Sequence, residues 1–242
     1  MKAMILAAGL GTRLRPLTDD RPKALVEIAG RTLLEITLTR LRAFGIREVI
    51  INTHHFADKI VAYLKTNHDF GMRIEISREE ILLDTGGGLK KAAWFLENSS
   101  DEPFILHNVD VISSIDLGRM VRFHVENQAL ATLAVQERDA SRYLLFDEQF
   151  QLCGRRSSEK TEMARSAATT RARGFCGIHV ISPRIFSTMT EDGVFSIIPC
   201  YMRLAAQGEK IFSFRADEYY WRDLGKPENV GQAAQDLKGR VL

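Results

Sequence analysis

Leu6-Ala7-Ala8-Gly9-Leu10-Gly11-Thr12-Arg13-Leu14-Arg15-Pro16 follows directly on the apolar run Ala3 to Leu6. A buried strand that ends in small residues and two glycines lets the backbone approach a phosphate chain closely. Successive N–H groups in such a loop form a concave anion site. Arg13 and Lys23 add mobile positive charge beside it, and Pro22 fixes the backbone ahead of Lys23. A dinucleotide-binding loop would need a third glycine where this chain has Leu14, and an acid at the end of the second strand, which here reads Ile51-Asn52-Thr53. A Walker-type loop would need Gly-Lys-Ser/Thr opening a helix, and the sequence has none. A glycine turn without a ligand is the bland alternative for an isolated Gly-x-Gly.

Outward from this loop, strand and helix signals alternate. That pattern predicts an α/β, Rossmann-like fold: a mixed, mostly parallel sheet with helices on both faces. Leu33 to Phe44 carries a helical stripe at Leu34, Leu38 and Leu41, with Gly45 as a left-handed cap. Val49 to Ile51 reads as a buried strand, Ala57 to Leu64 as a helix, Ile74 and Ile76 as a third strand, and Leu89 to Leu96 as a helix. Phe104 to Leu106 forms a fourth strand that runs into His107-Asn108-Val109-Asp110.

The second half is less regular. Leu130 to Val135 and Tyr143 to Phe146 read as strands, and Phe150 to Cys153 is expected to pair with Phe175 to Ile181 as a long hairpin. The intervening 154–173 segment, rich in Ser, Arg, Ala and Thr, reads as a mobile loop. A short helix after Pro183, a helix from Ile197 to Ala206, a strand from Ile211 to Phe214, the strand-like Tyr220 to Asp223 and a closing helix from Glu228 to Leu237 complete the chain. One domain, 1–242, is expected, in two halves, 1–110 and 111–242.

The composition excludes several function classes. Hydrophobic residues at 45% and charged residues at 26% exclude a disordered or fibrous chain. A net charge of +2 gives no electrostatic case for nucleic acid or an anionic membrane as partner. No segment approaches the ~20 apolar residues that span a bilayer. The N-terminal apolar run is shorter than a signal peptide's and flows into the glycine loop, so it reads as a strand. Cys153, Cys176 and Cys200 have no metal-ligand spacing and read as free thiols of a cytoplasmic protein. His54 and His55 are adjacent, diverge on either kind of element, and make poor co-ligands.

The pattern Leu6-Ala7-Ala8-Gly9-x-Gly11-Thr12-Arg13-Leu14-x-Pro16-x-Thr18, then Pro22-Lys23, Gly30 and Glu35, resembles the signature of the nucleotide-sugar pyrophosphorylases, the sugar-1-phosphate nucleotidyltransferases. The resemblance continues in order through Asn52, Gly86-Gly87, Asp110 and Trp221-x-Asp223-x-Gly225. It implies the nucleotide-diphospho-sugar transferase fold. It also implies a reaction in which a sugar-phosphate oxygen attacks the α-phosphorus of a nucleoside triphosphate and pyrophosphate leaves. Asp84-Thr85-Gly86-Gly87-Gly88 with Asn108-x-Asp110 looks most like the UTP-using branch.

Two anions must meet in such a reaction, so catalysis is mainly alignment and charge neutralisation. The resemblance implies Mg²⁺ held by Asp110 and Asp223. It implies a nucleotide site built from Leu6, Ala7, Ala8, Gly9, Gly11, Thr12, Arg13, Lys23, Gly86 and Gly87, with Arg13 and Lys23 also catalytic. Gly86 and Gly87 are expected to turn free N–H groups toward base and ribose. Asn108 by its position, and Arg142 by a family likeness, are candidates for the sugar phosphate. A strand-end Asp is in general often only a turn former.

Three features depart from the family pattern. Val109 stands where Gly is usual, Lys226 where Thr is usual, and Glu159-Lys160-Thr161 only partly matches the family's Glu-Lys-Pro element. The alternatives are a guanylyl-, thymidylyl- or cytidylyltransferase, and a non-catalytic nucleotide-sugar sensor. The expected partners are a nucleoside triphosphate and a sugar 1-phosphate, with the protein a monomer or small homo-oligomer.

Overall fold

The computed structural model describes residues 1–97 and 101–236. In chain order its elements are β1 (Lys2–Leu6), β2 (Glu27–Ile28), β3 (Arg31–Thr32), α1 (Leu33–Ala43), β4 (Glu48–Thr53), α2 (Ala57–Thr66), β5 (Arg73–Arg78), α3 (Asp84–Lys91) and α4 (Ala93–Leu96). There follow β6 (Phe104–Asn108), β7 (Val111–Ser113), α5 (Leu117–Glu126), β8 (Ala131–Gln136), β9 (Arg142–Phe146), β10 (Leu152–Ser157) and β11 (Thr161–Met163). The last are β12 (Arg171–Ile181), α6 (Ile185–Thr188), α7 (Ile197–Ala206), β13 (Ile211–Arg215), β14 (Trp221–Asp223) and α8 (Pro227–Asp236). Leu237, the expected end of the final helix, lies outside the described residues.

The central sheet is mixed and mostly parallel. β6, β1, β4 and β5 pair in parallel, β12 runs antiparallel between β6 and β8, and β13 pairs in parallel with β8. β12 is therefore the one reversed strand in that row. Alternation along β1 places Ala3 and Ile5 on one face, packed with Leu34 and Leu38 of α1, Ile60 of α2 and Met120 of α5. Met4 points the other way, among Leu89 of α3, Phe95 of α4 and Tyr201 of α7. Helices thus cover both faces.

The start of α1 follows capping rules. The Thr32 hydroxyl accepts the Glu35 N–H at 3.0 Å, and Gly45, at φ 85°, ends the helix with Ile46 N–H donating to the Leu41 carbonyl. α5, absent from the sequence reading, is capped by the Asp116 carboxylate, which accepts the Arg119 N–H at 2.8 Å. Its three buried residues, Leu117, Met120 and His124, form only a sparse apolar stripe.

The 154–173 segment differs from the expected loop. β10 pairs with β9 on one side and β11 on the other, and the first residues of β12 pair with β9. The expected hairpin between 150–153 and 175–181 does not form. Cross-strand charge replaces apolar contact here: Arg155 stands opposite Glu162 and donates to it through Nε at 2.6 Å, and Lys160 reaches the same carboxylate at 2.7 Å. Arg165 pairs with Asp147 at 2.6 Å. A ribbon held by ion pairs looks like a polar loop when read residue by residue.

Candidate active site

The glycine loop opens where β1 ends, and each of its turns has a physical cause. The Ala7 N–H donates to the Asn52 side-chain carbonyl at 2.7 Å, and the Leu6 carbonyl accepts the Val109 N–H at 3.1 Å. Gly11 adopts φ 67°, and a Cβ there would lie 3.0 Å from the Thr18 methyl and 3.3 Å from the Lys23 Cβ. Only glycine fits that close, left-handed turn. The Thr18 hydroxyl locks it by donating to the Gly11 carbonyl at 2.8 Å. Leu14 is fully buried, which leaves the neighbouring Arg13 exposed. Among the described residues Arg13 forms no hydrogen bond or ion pair, so its guanidinium is available to an anion.

The loop forms one wall of a cavity of about 550 Å³. Of the expected site residues, Leu6, Ala7, Ala8, Gly9, Gly11, Thr12, Arg13, Lys23, Asn108 and Asp110 all line it. Glu79, missed in the sequence, lines it too and is 5% exposed. Its carboxylate accepts the Asn52 side-chain amide at 2.7 Å and the Leu83 N–H at 2.9 Å. Glu79 therefore holds Asn52, and Asn52 holds the first peptide of the loop. The available signal was position: Glu79 lies one residue past β5, at the carboxyl edge of the sheet.

Gly86 and Gly87 open α3 as expected but serve another purpose. Both N–H groups donate to the Phe195 carbonyl, at 2.9 and 3.1 Å, and so are not free for a nucleotide. A Cβ on Gly86 would meet the Phe195 ring at 2.3 Å, and one on Gly87 the Gly193 carbonyl oxygen at 2.2 Å. These glycines permit close packing of the 193–195 segment, whose Val194 faces the cavity; Asp84 and Thr85 supply the wall instead.

Asp110 and Asp223 come together through long-range pairing. β14 lies antiparallel to β7 with Asp223 opposite Val111, and the Leu224 N–H donates to the Asp110 carbonyl at 2.8 Å. Asp223 stands just behind the cavity wall: its carboxylate accepts the Gly225 N–H at 2.6 Å, and Gly225 is a wall residue beside the Arg13 guanidinium. The Lys23 ammonium contacts the Asp110 carboxylate.

Hard carboxylate oxygens, from the turn between β6 and β7 and from β14, suit Mg²⁺, and the ammonium on Asp110 marks a place that favours a cation. No group of three or more His, Cys, Asp or Glu among the described residues could hold a metal. Phosphate oxygens or water would have to complete the coordination.

Val109 is buried with its side chain in the core, and it is not among the residues of positive φ. The backbone before Asp110 therefore needs no glycine. Asn108 faces Gly177 (φ 72°), where a Cβ would lie 2.9 Å from the Asn108 amide nitrogen. Arg142 is not brought to the site; it is exposed at the start of β9, opposite Ser157. Glu159 and Lys160 belong to the turn between β10 and β11.

Burial pushes the thiols of Cys176 and Cys200 up to about 12 and raises that of Cys153, so none is a thiolate nucleophile. Burial, reinforced by Arg40, holds His107 down at about 3, a neutral imidazole beside the site.

A family model described as Nucleotidyl transferase matches residues 2–166. N-acetylmuramate alpha-1-phosphate uridylyltransferase of Caulobacter vibrioides is 35% identical, over 93% of this chain and 92% of that one. Mannose-1-phosphate guanylyltransferase of Mycobacterium tuberculosis is 32% identical over 97% of this chain, and UTP–glucose-1-phosphate uridylyltransferase of Synechocystis is 28% identical over 100%. The chain spans 64% of the length of each of these two. Among solved structures, HddC of Yersinia pseudotuberculosis complexed with GMP-PN superposes with a TM-score of 0.76 at 24% identity, over 98% of this chain and 99% of that one. The inositol-1-phosphate CTP transferase of T. maritima superposes with a TM-score of 0.78 at 16% identity, over 100% of this chain and 97% of that one.

Proposed function

This chain belongs to the nucleotidyl transferase family, and on that premise we propose that it joins UTP to a sugar 1-phosphate of the N-acetylmuramate type, giving the UDP-sugar and pyrophosphate. The 35% identity to a uridylyltransferase of that substrate, across nearly the whole of both chains, favours this pair over others. The observation that carries the reading is the convergence of the glycine loop, Arg13, Lys23 and Asp110 on one cavity.

In the reaction, an oxygen of the sugar phosphate forms a bond to the α-phosphorus while the bond from that phosphorus to the β-phosphate bridging oxygen breaks. Loop N–H groups around Gly9 and Gly11 cradle the phosphates, and Arg13 neutralises the departing pyrophosphate. Lys23 steadies the α-phosphate and the incoming phosphate. Asn108 addresses the sugar-phosphate side. Asp110 and Asp223 would hold Mg²⁺, whose charge lets two anions approach. Residues 1–110 serve the nucleotide and 111–242 the sugar phosphate. A cytoplasmic setting belongs to the same reading; among the described residues no helix is long and apolar enough to cross a membrane.

The test pairs each nucleoside triphosphate with several sugar 1-phosphates and reads pyrophosphate release. UTP with N-acetylmuramate 1-phosphate should give the highest kcat/KM. A preference for GTP with a mannose-type phosphate would move the chain to the guanylyl branch. Nucleotide-sugar binding with no pyrophosphate from any pair would make it a sensor.

A further inference from the structure

We infer that the Lys23 ammonium is a built-in counter-cation on Asp110, drawn off by the nucleotide before a divalent ion can take that carboxylate. The inference rests on the assignment of this cavity to a nucleotide and its metal. It fixes an order of entry: nucleotide first, or nucleotide and metal together, and never the metal alone.

The geometry of Lys23 supports a standing contact. Lys23 begins a short 3-10 turn after Pro22, with the Leu25 N–H donating to the Pro22 carbonyl at 2.9 Å and the Val26 N–H to the Lys23 carbonyl at 3.0 Å. Its Cβ lies against Gly11, so the stem is packed where the loop turns. The side chain is 11% exposed and ends on the Asp110 Oδ2, whose own side chain is 19% exposed. Asp110 is fixed from the other side by the Leu224 N–H on its carbonyl. Among the described residues Lys23 has no other acceptor and Asp110 no other cationic partner. The pair is less exposed than a surface ion pair, so water screens its attraction less.

A divalent ion on Asp110 would sit within a few ångströms of that ammonium, and like charges so close repel strongly where water is excluded. The cavity contains the means to part them. Both groups line it together with the glycine loop. A phosphate seated on the loop offers the ammonium a second anion within reach of its flexible stem. Once Lys23 has turned to the phosphate, the freed carboxylate and the phosphate oxygens attract a divalent ion jointly. Binding of nucleotide and of metal is then mutually reinforcing, and by linkage the reinforcement is equal in both directions.

The experiment titrates Mn²⁺ alone into nucleotide-free protein, read by the electron paramagnetic resonance signal of the free ion. Wild type should bind Mn²⁺ weakly. Lys23→Met, which keeps an apolar stem and removes the charge, should bind it at least about tenfold tighter while losing turnover. Lys23→Arg should bind Mn²⁺ as weakly as wild type, and adding Asp110→Asn to Lys23→Met should erase the gain. Circular dichroism checks each fold, and Lys23→Gln replaces the Met variant if that one fails to fold. Equal or weaker Mn²⁺ binding in the charge-free variants would overturn the inference, as would tight binding by nucleotide-free wild type, an arm that needs no variant. Pyrophosphate release by wild type separates the two claims. Release without the Mn²⁺ gain leaves the enzyme reading standing and sinks the counter-cation. The gain without release from any substrate pair does the reverse.

Discussion

Two of the regions around the cavity, the loop after β1 and the β7–β14 ribbon, are built differently. The loop after β1 is a local structure: Gly11, Thr18, Lys23 and Asn52 clamp it, and β1 itself lies between β4 and β6 in a parallel ladder. The β7–β14 ribbon is a separate two-stranded sheet that joins Asp110 to a segment from the far end of the chain. Arg40 braces it from α1, donating to the Ser113 hydroxyl at 2.8 Å and to the Ile115 carbonyl. Burial of this guanidinium brings it down to about 10. The loop therefore presents Arg13, an exposed group whose loss should leave the scaffold intact, whereas the ribbon positions its carboxylate through tertiary pairing.

The largest expected effect falls on the loop. Arg13→Ala should lower turnover by roughly two to four orders of magnitude, the range for removing a preorganised charge contact from a closed site. Arg13 is exposed and unpaired among the described residues, so thermal unfolding should be unchanged. Equal losses of activity and melting temperature would erase the distinction between loop and ribbon.

Next come the two carboxylates. Asp110→Asn and Asp223→Asn should each cost on the order of a hundredfold or more in turnover while retaining nucleotide binding. If one Mg²⁺ unites them, the double variant should be little worse than the poorer single one. Multiplicative losses in steady-state kinetics would mean that Asp110 and Asp223 act separately.

The same contrast explains what could be read in the sequence. Gly9, Gly11, Arg13 and Lys23 are close in the chain and read together as an anion loop, while Thr18 stood out only through the family resemblance. α1 was legible from its stripe and from Gly45. Gly86 and Gly87 were not, because glycine serves equally to expose N–H groups and to admit close packing, and here the second purpose applies. Glu79 was hidden because its partners, Asn52 and the Leu83 N–H, are set by tertiary structure. The β9–β10–β11 ribbon was hidden because its register shows only when Arg155 is set opposite Glu162.

A smaller effect should appear where β6 meets the reversed β12. His107 and His179 lie on these two strands, fully buried, and burial lowers both imidazoles from 6.5 to about 3; His124 falls to about 4. The unfolded chain takes up these protons near pH 6.5 and the folded chain not until pH 3–4. Stability from this source is thus complete above pH 6.5 and is lost as pH falls below it. Each buried histidine should remove about 1.4 kcal/mol per pH unit in that window. Denaturant melts between pH 7 and pH 5 measure the slope, and His107→Gln should lower it by about one proton. A flat profile would mean that the β6–β12 contact admits water.

The smallest effect is expected at Arg142. A family likeness places it near the sugar, while the fold puts it at the exposed start of β9, off the cavity wall. Strand alternation gives it the same face as Leu144 and Phe146, which are buried, but at the end of the strand that face has run out of core. Arg173 makes a useful contrast. It stands opposite Leu144 on the other side of β9, has a side chain only 12% exposed, and pairs with Glu137 at 2.8 Å. Arg142 has no such partner among the described residues, so Arg142→Ala removes neither an ion pair nor a cavity wall. Its kcat/KM for the sugar 1-phosphate should stay within about twofold of wild type, and its melting point should not move. Arg173→Ala should lose more of both. A tenfold or greater rise in KM for the sugar phosphate at Arg142, with KM for the nucleotide unchanged, would mean that the β9–β10–β11 ribbon folds over the substrate. In that case the ribbon would complete a sugar-phosphate site only on binding, and the contrast with the preformed loop would become one of motion as well as of architecture.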